Sequence, residues 1–100
     1  MGTANIEATE KGHRACVMVT NSLGLHLRPA SQLVKLASGF PGCEIEITKD
    51  GQTINAKSIM GVIMLAAEQG SELTIEACGD GSDAAVLAIV QIVEQGFNEA

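Results

Sequence analysis

Three short segments of the chain alternate apolar and polar residues with a period of two. "RACVMVTN" sets Ala15, Val17 and Val19 against Cys16, Met18 and Thr20; "CEIEIT" sets Cys43, Ile45 and Ile47 against Glu44 and Glu46; "ELTIEA" places Leu73, Ile75 and Ala77 on one side. A strand with one apolar face needs a sheet that is packed on one side and wet on the other, which is the habit of antiparallel sheets. Met18 and Cys16 on the outer side of the first strand read as surface residues. A fourth, short strand around "TINA" follows "CEIEIT" across "KDGQ", a turn chemistry that closes tight hairpins.

Helical spacing fills the intervals. Ala30, Leu33, Val34 and Ala37 share a face while Ser31, Gln32 and Lys35 point away. "SGFP" should stop that helix, with Gly39 in a left-handed C′ position, Phe40 packing back and Pro41 preventing continuation. "SIMGVIMLAAEQG" predicts a short helix with Ser58 as N-cap, weakened by roughly 1 kcal/mol at Gly61. Beyond the "CGDG" turn, Ser82 is the expected N-cap of a third helix, Asp83 lies at its positive end, and Val86, Ile89, Val90 and Val93 form its buried face.

The resulting order, βαββαβα, predicts an α+β fold: a four-stranded antiparallel sheet with three helices on one face, an open-faced sandwich. A chain of 100 residues supports one core. Residues 1–12 lack periodicity and read as a flexible tail, leaving 13–100 as the single domain.

Composition narrows the function classes. The net charge of -6, with two Phe and neither Trp nor Tyr, provides no basic footprint and no stacking set for nucleic acid. Cys16, Cys43 and Cys78 are odd in number and widely spaced, which fits reduced thiols and argues against a zinc site, a redox pair or a disulfide framework. No cofactor and no metal is expected. With neither a leader-like apolar run nor a membrane-length stretch, a cytoplasmic location is expected.

The stretch "LGLHLRPAS" carries the candidate chemistry. Proline is accepted in the first turn of a helix, so Pro29 fixes the helix start near residues 26–28 and sets His26 at or beside the N-cap. Unpaired N–H groups and the helix dipole make that spot attractive to anions and unfavourable to imidazolium. A neutral imidazole keeps one lone pair for nucleophilic attack, and Arg28 can fold a guanidinium over phosphoryl oxygens. These are the requirements of phosphoryl transfer. The same spacing also suits a surface histidine that merely caps the helix. Gly24 suits an unusual backbone angle, a close partner approach or a plain turn. His13 has no evident partner and is assigned no role.

"GLHLRPAS" resembles the active-site motif of the HPr family, the histidine-containing phosphocarriers of the bacterial phosphotransferase system, and "KSIMGVIMLAAEQGSELTIEACG" is similar to the family's second signature. The likeness runs from about Arg14 to Gly96. It implies an HPr-like fold and a carrier, not a turnover enzyme, whose His26 takes a phosphoryl group on Nδ1 from phosphorylated enzyme I and passes it to an enzyme IIA or a similar acceptor. Arg28 would stabilise the phosphate, and Gly24 and Pro29 would shape the site. It also implies a regulatory role for Ser58 through HPr kinase/phosphorylase, although a helix cap alone explains that serine. Ile59 and Met60, with Met64 as a further candidate, would supply a docking patch for transient partners; core positions are the alternative, and for Met64 the core is the favoured placement. A monomer without nucleic-acid or membrane partners is expected. An HPr-like regulatory protein of a nitrogen-type branch or of kinase-controlled signalling, with little role in sugar transport, is the alternative; a small ligand-binding or metal-delivery module shares the element order but lacks a ligand cluster.

Because the cysteine spacing suggests neither ligand nor nucleophile, replacing Cys16, Cys43 and Cys78 together by Ser or Ala should leave phosphoryl acceptance largely intact. Loss of acceptance in a triple variant that is still folded would bring thiol chemistry back.

Overall fold

The structure, a computed structural model, describes residues 5–99; residues 1–4 of the stretch read as a tail lie outside the described residues, as does Ala100. The strands are β1 (Glu7–Ala8), β2 (Gly12–Met18), β3 (Cys43–Lys49), β4 (Gln52–Asn55) and β5 (Glu72–Gly79). The helices are α1 (Leu27–Ser38), α2 (Ile59–Met64) and α3 (Ser82–Glu94). All strand pairings are antiparallel, in the order β1-β2-β5-β3-β4. The sheet therefore has five strands where the sequence predicted four. The addition is β1, which pairs Glu7 with Arg14 and Ala8 with His13 and adds a Glu7–Arg14 ion pair of 3.1 Å. A two-residue strand is too short to display alternation, which is why periodicity could not reveal it.

Register sets the inner face. Ala15 lies opposite Ile75, which lies opposite Ile47, while Val17 faces Leu73 and Ala77 faces Ile45. These residues are buried beneath the helices together with Leu33 and Ala37 of α1, Val62 of α2 and Val86, Ile89, Val90 and Val93 of α3. Burying a Val, Leu or Ile side chain is worth about 1.5–3 kcal/mol, so this aliphatic layer is the main source of stability. The β3–β4 turn is built as expected, Asp50 and Gly51 both taking positive φ, 50° and 82°, between Lys49 and its partner Gln52.

Two helix ends differ from expectation. Gly39 is not left-handed (φ -73°); the end of α1 is closed instead by tight bonds from Gly39 N–H to Leu36 O and from Phe40 N–H to Ala37 O. The N-cap of α3 is Gly81, with φ 81°, so Ser82 moves inside the helix, where its buried hydroxyl lies 2.8 Å from His13 Nδ1. His13 thus does have a partner, and it joins the start of β2 to the start of α3.

Two lysines hold α2 in place. Lys57 donates to Phe40 O (2.8 Å) and Cys43 O (2.6 Å) ahead of the helix, and Lys49 donates to Leu65 O (3.1 Å) at its end. A six-residue helix has little stability of its own, so these bonds and the buried Val62 position it. Cys43 is buried, donates its thiol to Asp80 O at 2.8 Å, and is pushed above the usual thiol pKa by that burial, which makes it unreactive near neutrality. Among the described residues no helix is long and apolar enough to cross a membrane.

The segment after β2 crosses the chain that leaves α2. Leu25 N–H donates to Ala67 O at 2.9 Å, and Gly24, at φ 67°, sits so close that a Cβ would lie 2.3 Å from that same oxygen. Gly24 thus takes the unusual angle, and the close approach it permits is to the chain's own Ala67 carbonyl. Gly70 has φ 90° but nothing within 4 Å. Gly70→Ala should therefore lose only the left-handed cost, about 1–2 kcal/mol, while Gly24→Ala adds a backbone clash and should lose markedly more by urea unfolding. Equal losses would mean that the crossing is not tight.

Candidate functional site

The close passage at Gly24 delivers His26 to the start of α1. His26 is the N-cap, with extended backbone (φ -75°, ψ -171°), and its carbonyl accepts the first helical bond from Ala30 N–H at 2.9 Å. Its ring makes no capping bond. With Pro29 lacking an N–H, the N–H groups of Leu27 and Arg28 are the ones that helix geometry leaves without a carbonyl four residues back. Arg28 is exposed in this first turn and Pro29 is buried, so the cation and the proline stand where the sequence set them.

The ring of His26 has a partner that sequence reasoning missed. Its Nε2 lies 2.9 Å from Glu99 Oε2 and 3.1 Å from Oε1. The hydrogen bond with His26 holds the Glu99 carboxyl below the usual carboxylate range, against the opposing effect of burial and with help from Asn21. A carboxylate accepts only, so Nε2 is the donor and Nδ1 is left with a free lone pair. A depressed carboxyl favours the folded state above the ordinary Glu value of about 4.3. That contribution fades as pH falls through the lower folded-state value, so the contact is intact at neutral pH.

Glu99 reaches His26 through an unusual backbone. After α3, Gly96, Phe97 and Asn98 take φ values of 64°, 56° and 59°. A left-handed conformation costs Phe97 about 1–2 kcal/mol, whereas Asn tolerates it. Burial of Phe97, 2% exposed, offsets that cost and anchors the turn. Asn21, itself buried, donates from Nδ2 to Glu99 Oε1 (3.0 Å) and to Gly24 O (2.8 Å), tying the loop before His26 to the chain terminus. The only forward signal in the sequence was a lone Phe beyond a Gly at the end of a helical pattern.

Ser58 is the N-cap of α2, its hydroxyl accepting from Gly61 N–H at 3.1 Å. Met60 is exposed, while Ile59 is half-buried against the core. Met64 is a correction: expected in the core, it is 63% exposed, because α2 is so short that only Val62 turns fully inward. With Leu23, Leu27 and Ile63, these methionines make an exposed apolar set on α2, the start of α1 and the loop before it. Among the described residues, no group of three or more His, Cys, Asp or Glu is arranged to hold a metal.

An imidazole with Nε2–H engaged and Nδ1 free, at a helix N-terminus beside a guanidinium, can attack a phosphoryl group and hold the product. Comparison with known proteins gives this chemistry a family. Residues 13–95 match the family model described as the PTS HPr component phosphorylation site. Phosphocarrier protein HPr of Xylella fastidiosa (strain 9a5c) is 42% identical over 83 residues, which is 83% of this chain and 92% of that protein. Phosphocarrier protein NPr of Escherichia coli (strain K12) is 32% identical over 83 residues, with the same coverage. The crystal structure of HPr-C-His from Thermoanaerobacter tengcongensis superimposes with a TM-score of 0.83 at 38% identity, covering 87% of this chain and 97% of that one. Both the motif at α1 and the whole sandwich around it are matched, and the chain belongs to the HPr family of phosphocarriers of the phosphotransferase system.

Proposed function

We propose that this phosphocarrier accepts a phosphoryl group on Nδ1 of His26 from phosphorylated enzyme I and passes it to an enzyme IIA or similar acceptor histidine in the cytoplasm. The observation that carries this reading is the split between the two ring nitrogens: Glu99 occupies Nε2 at 2.9 Å, and Nδ1 stands free at the N-terminus of α1. Transfer of a phosphoryl group depends on alignment and charge neutralisation more than on covalent chemistry. The Arg28 guanidinium and the N–H groups of Leu27 and Arg28 supply that neutralisation, and Gly24 and Pro29 fix the loop and the helix start.

A carrier must release each partner, so its contacts should be modest and adaptable. The exposed Leu23, Leu27, Met60, Ile63 and Met64 fit that need, since methionine side chains reshape readily. Ile59, half-buried against the core, is the patch's less accessible member. The carrier is expected to act as a monomer. Ser58 is the proposed regulatory position: a phosphate there adds about two negative charges and replaces the hydroxyl that caps α2. Whether the acceptors belong to sugar uptake or to a nitrogen-type regulatory branch is decided by which purified acceptor takes the label.

Incubation with enzyme I and phosphoenolpyruvate should place one acid-labile, base-stable phosphoryl group on the protein, and His26→Ala should abolish it while the domain stays folded. Label retained in that variant would sink the assignment. Arg28→Ala should slow transfer by roughly 10²-fold, as expected for loss of a charge that acts on the transferring group, with little change in urea stability. An unchanged rate would remove Arg28 from the site.

Ser58→Asp should raise the apparent KM for phosphorylation by enzyme I, an effect that shrinks as salt rises, whereas Ser58→Ala stays near wild type. If the two variants behave alike at low ionic strength, Ser58 is a helix cap and nothing more.

A further inference from the structure

We infer that Met60 and Met64 are a modification site: a peroxide converts their thioethers to sulfoxides, and the oxidised carrier loses affinity for its phosphoryl donor without unfolding. The inference rests on the reading of the exposed apolar set around α2 as the docking surface, and it gives that surface a chemical means of being closed.

The sulfurs stand where an oxidant reaches them. Met60 and Met64 are 64% and 63% exposed, and their spacing of four residues puts them on one face of α2. That helix packs against α1, so the pair belongs to the surface beside His26. The thiols are set elsewhere. Cys43 is buried and donates to Asp80 O, while Cys16 and Cys78 alternate with buried Ala15 and Ala77 and so lie toward the outer face of the sheet, away from the helices. Met18, 56% exposed, is on that outer face too, which makes it a control for oxidation away from the docking surface.

In the step, a sulfur lone pair forms an S–O bond as the O–O bond of the peroxide breaks. The transferred hydroxyl gives its proton to the departing hydroxide, so the thioether is oxidised to a sulfoxide and the peroxide is reduced to water. Methionine suits a transient interface because it is apolar and adaptable, and the sulfoxide cancels the first property by adding a polar, chiral acceptor that holds water. Docking must then strip that water away. The fold does not depend on either sulfur: Val62 is the buried residue of α2, and Lys57 and Lys49 hold the helix at its two ends through backbone carbonyls. A sulfoxide reductase returns the thioether, its two thiols becoming a disulfide as the oxygen leaves in water.

The test treats full-length wild type, Met18→Leu and the double variant Met60→Leu/Met64→Leu with hydrogen peroxide, locates the added oxygen by peptide mass spectrometry, and compares each protein with its own untreated state. Wild type and Met18→Leu should carry sulfoxide at residues 60 and 64. Their apparent KM for phosphorylation by enzyme I should rise by roughly tenfold, the loss of about one buried apolar side chain from an interface. Unchanged kcat and an unchanged urea midpoint would mark this as lost binding rather than damage to the fold. Sulfoxide reductase with a dithiol should restore the KM, and the double variant should show no rise. Residues 60 and 64 left unoxidised while Met18 reacts, or oxidised with no change in KM, would overturn the inference. A rise that persists in the double variant would also overturn it, since the cause would then be a thiol or another methionine. Failure of the underlying reading looks different: untreated Met60→Gln/Met64→Gln with the KM of wild type would show that the surface is not used for docking, and the inference would fall with it.

Discussion

The bond from Ala30 N–H to the carbonyl of His26 is the interaction on which the site depends. His26 is the cap of α1 through its backbone, and its ring makes no capping bond of the kind that Ser, Thr, Asp or Asn would supply. The ring is then free to face solvent with Nδ1 while Nε2 engages Glu99. Pro29 enforces this arrangement, because it cannot lie deep inside a helix and so prevents α1 from starting earlier. The same proline removes a donor from the first turn, so the guanidinium of Arg28 supplies charge that the backbone cannot.

Everything upstream and downstream keeps that cap in register. The outward face of the sheet carries Glu44, Glu46 and Thr48, and the inward face carries the aliphatic layer under the helices, so a slip of one residue would turn the core to water. The passage of Gly24 against Ala67 then fixes the loop from β2 to the chain that leaves α2. Through that crossing, the helix bearing Ser58 and the methionines is set next to the helix bearing His26. The lysines at the two ends of α2 make the placement firm without a large core contribution from the helix itself.

Much of this was legible in the sequence, for reasons of local physics. Alternation in β2, β3 and β5, the Asp-Gly turn and the proline at the head of α1 are signals carried within a few residues. The exposed Cys16 and Met18 agree with a surface reading of the outer sheet face. What stayed hidden depends on contacts across the chain. Glu99 is 73 residues from His26, and it arrives there through Phe97 in a conformation that its residue type disfavours. Ser82 reads as an N-cap by local preference, yet the preceding Gly81 takes that role and the serine bonds to His13, 69 residues away. Met64 was placed inward on the strength of an apolar helical run, yet in α2 only Val62 is buried. For Glu99 and Ser82 the tertiary partner outweighed the local propensity.

The central claim is that the two nitrogens of His26 are unequal and that Nδ1 carries the phosphoryl group. Protein labelled with ¹⁵N in its histidine rings, phosphorylated by enzyme I and observed by ³¹P–¹⁵N correlation, tests it directly. The account predicts phosphorus coupled to Nδ1 of His26, with Nε2 still bearing its proton. Phosphorus on Nε2, or on His13, would contradict it.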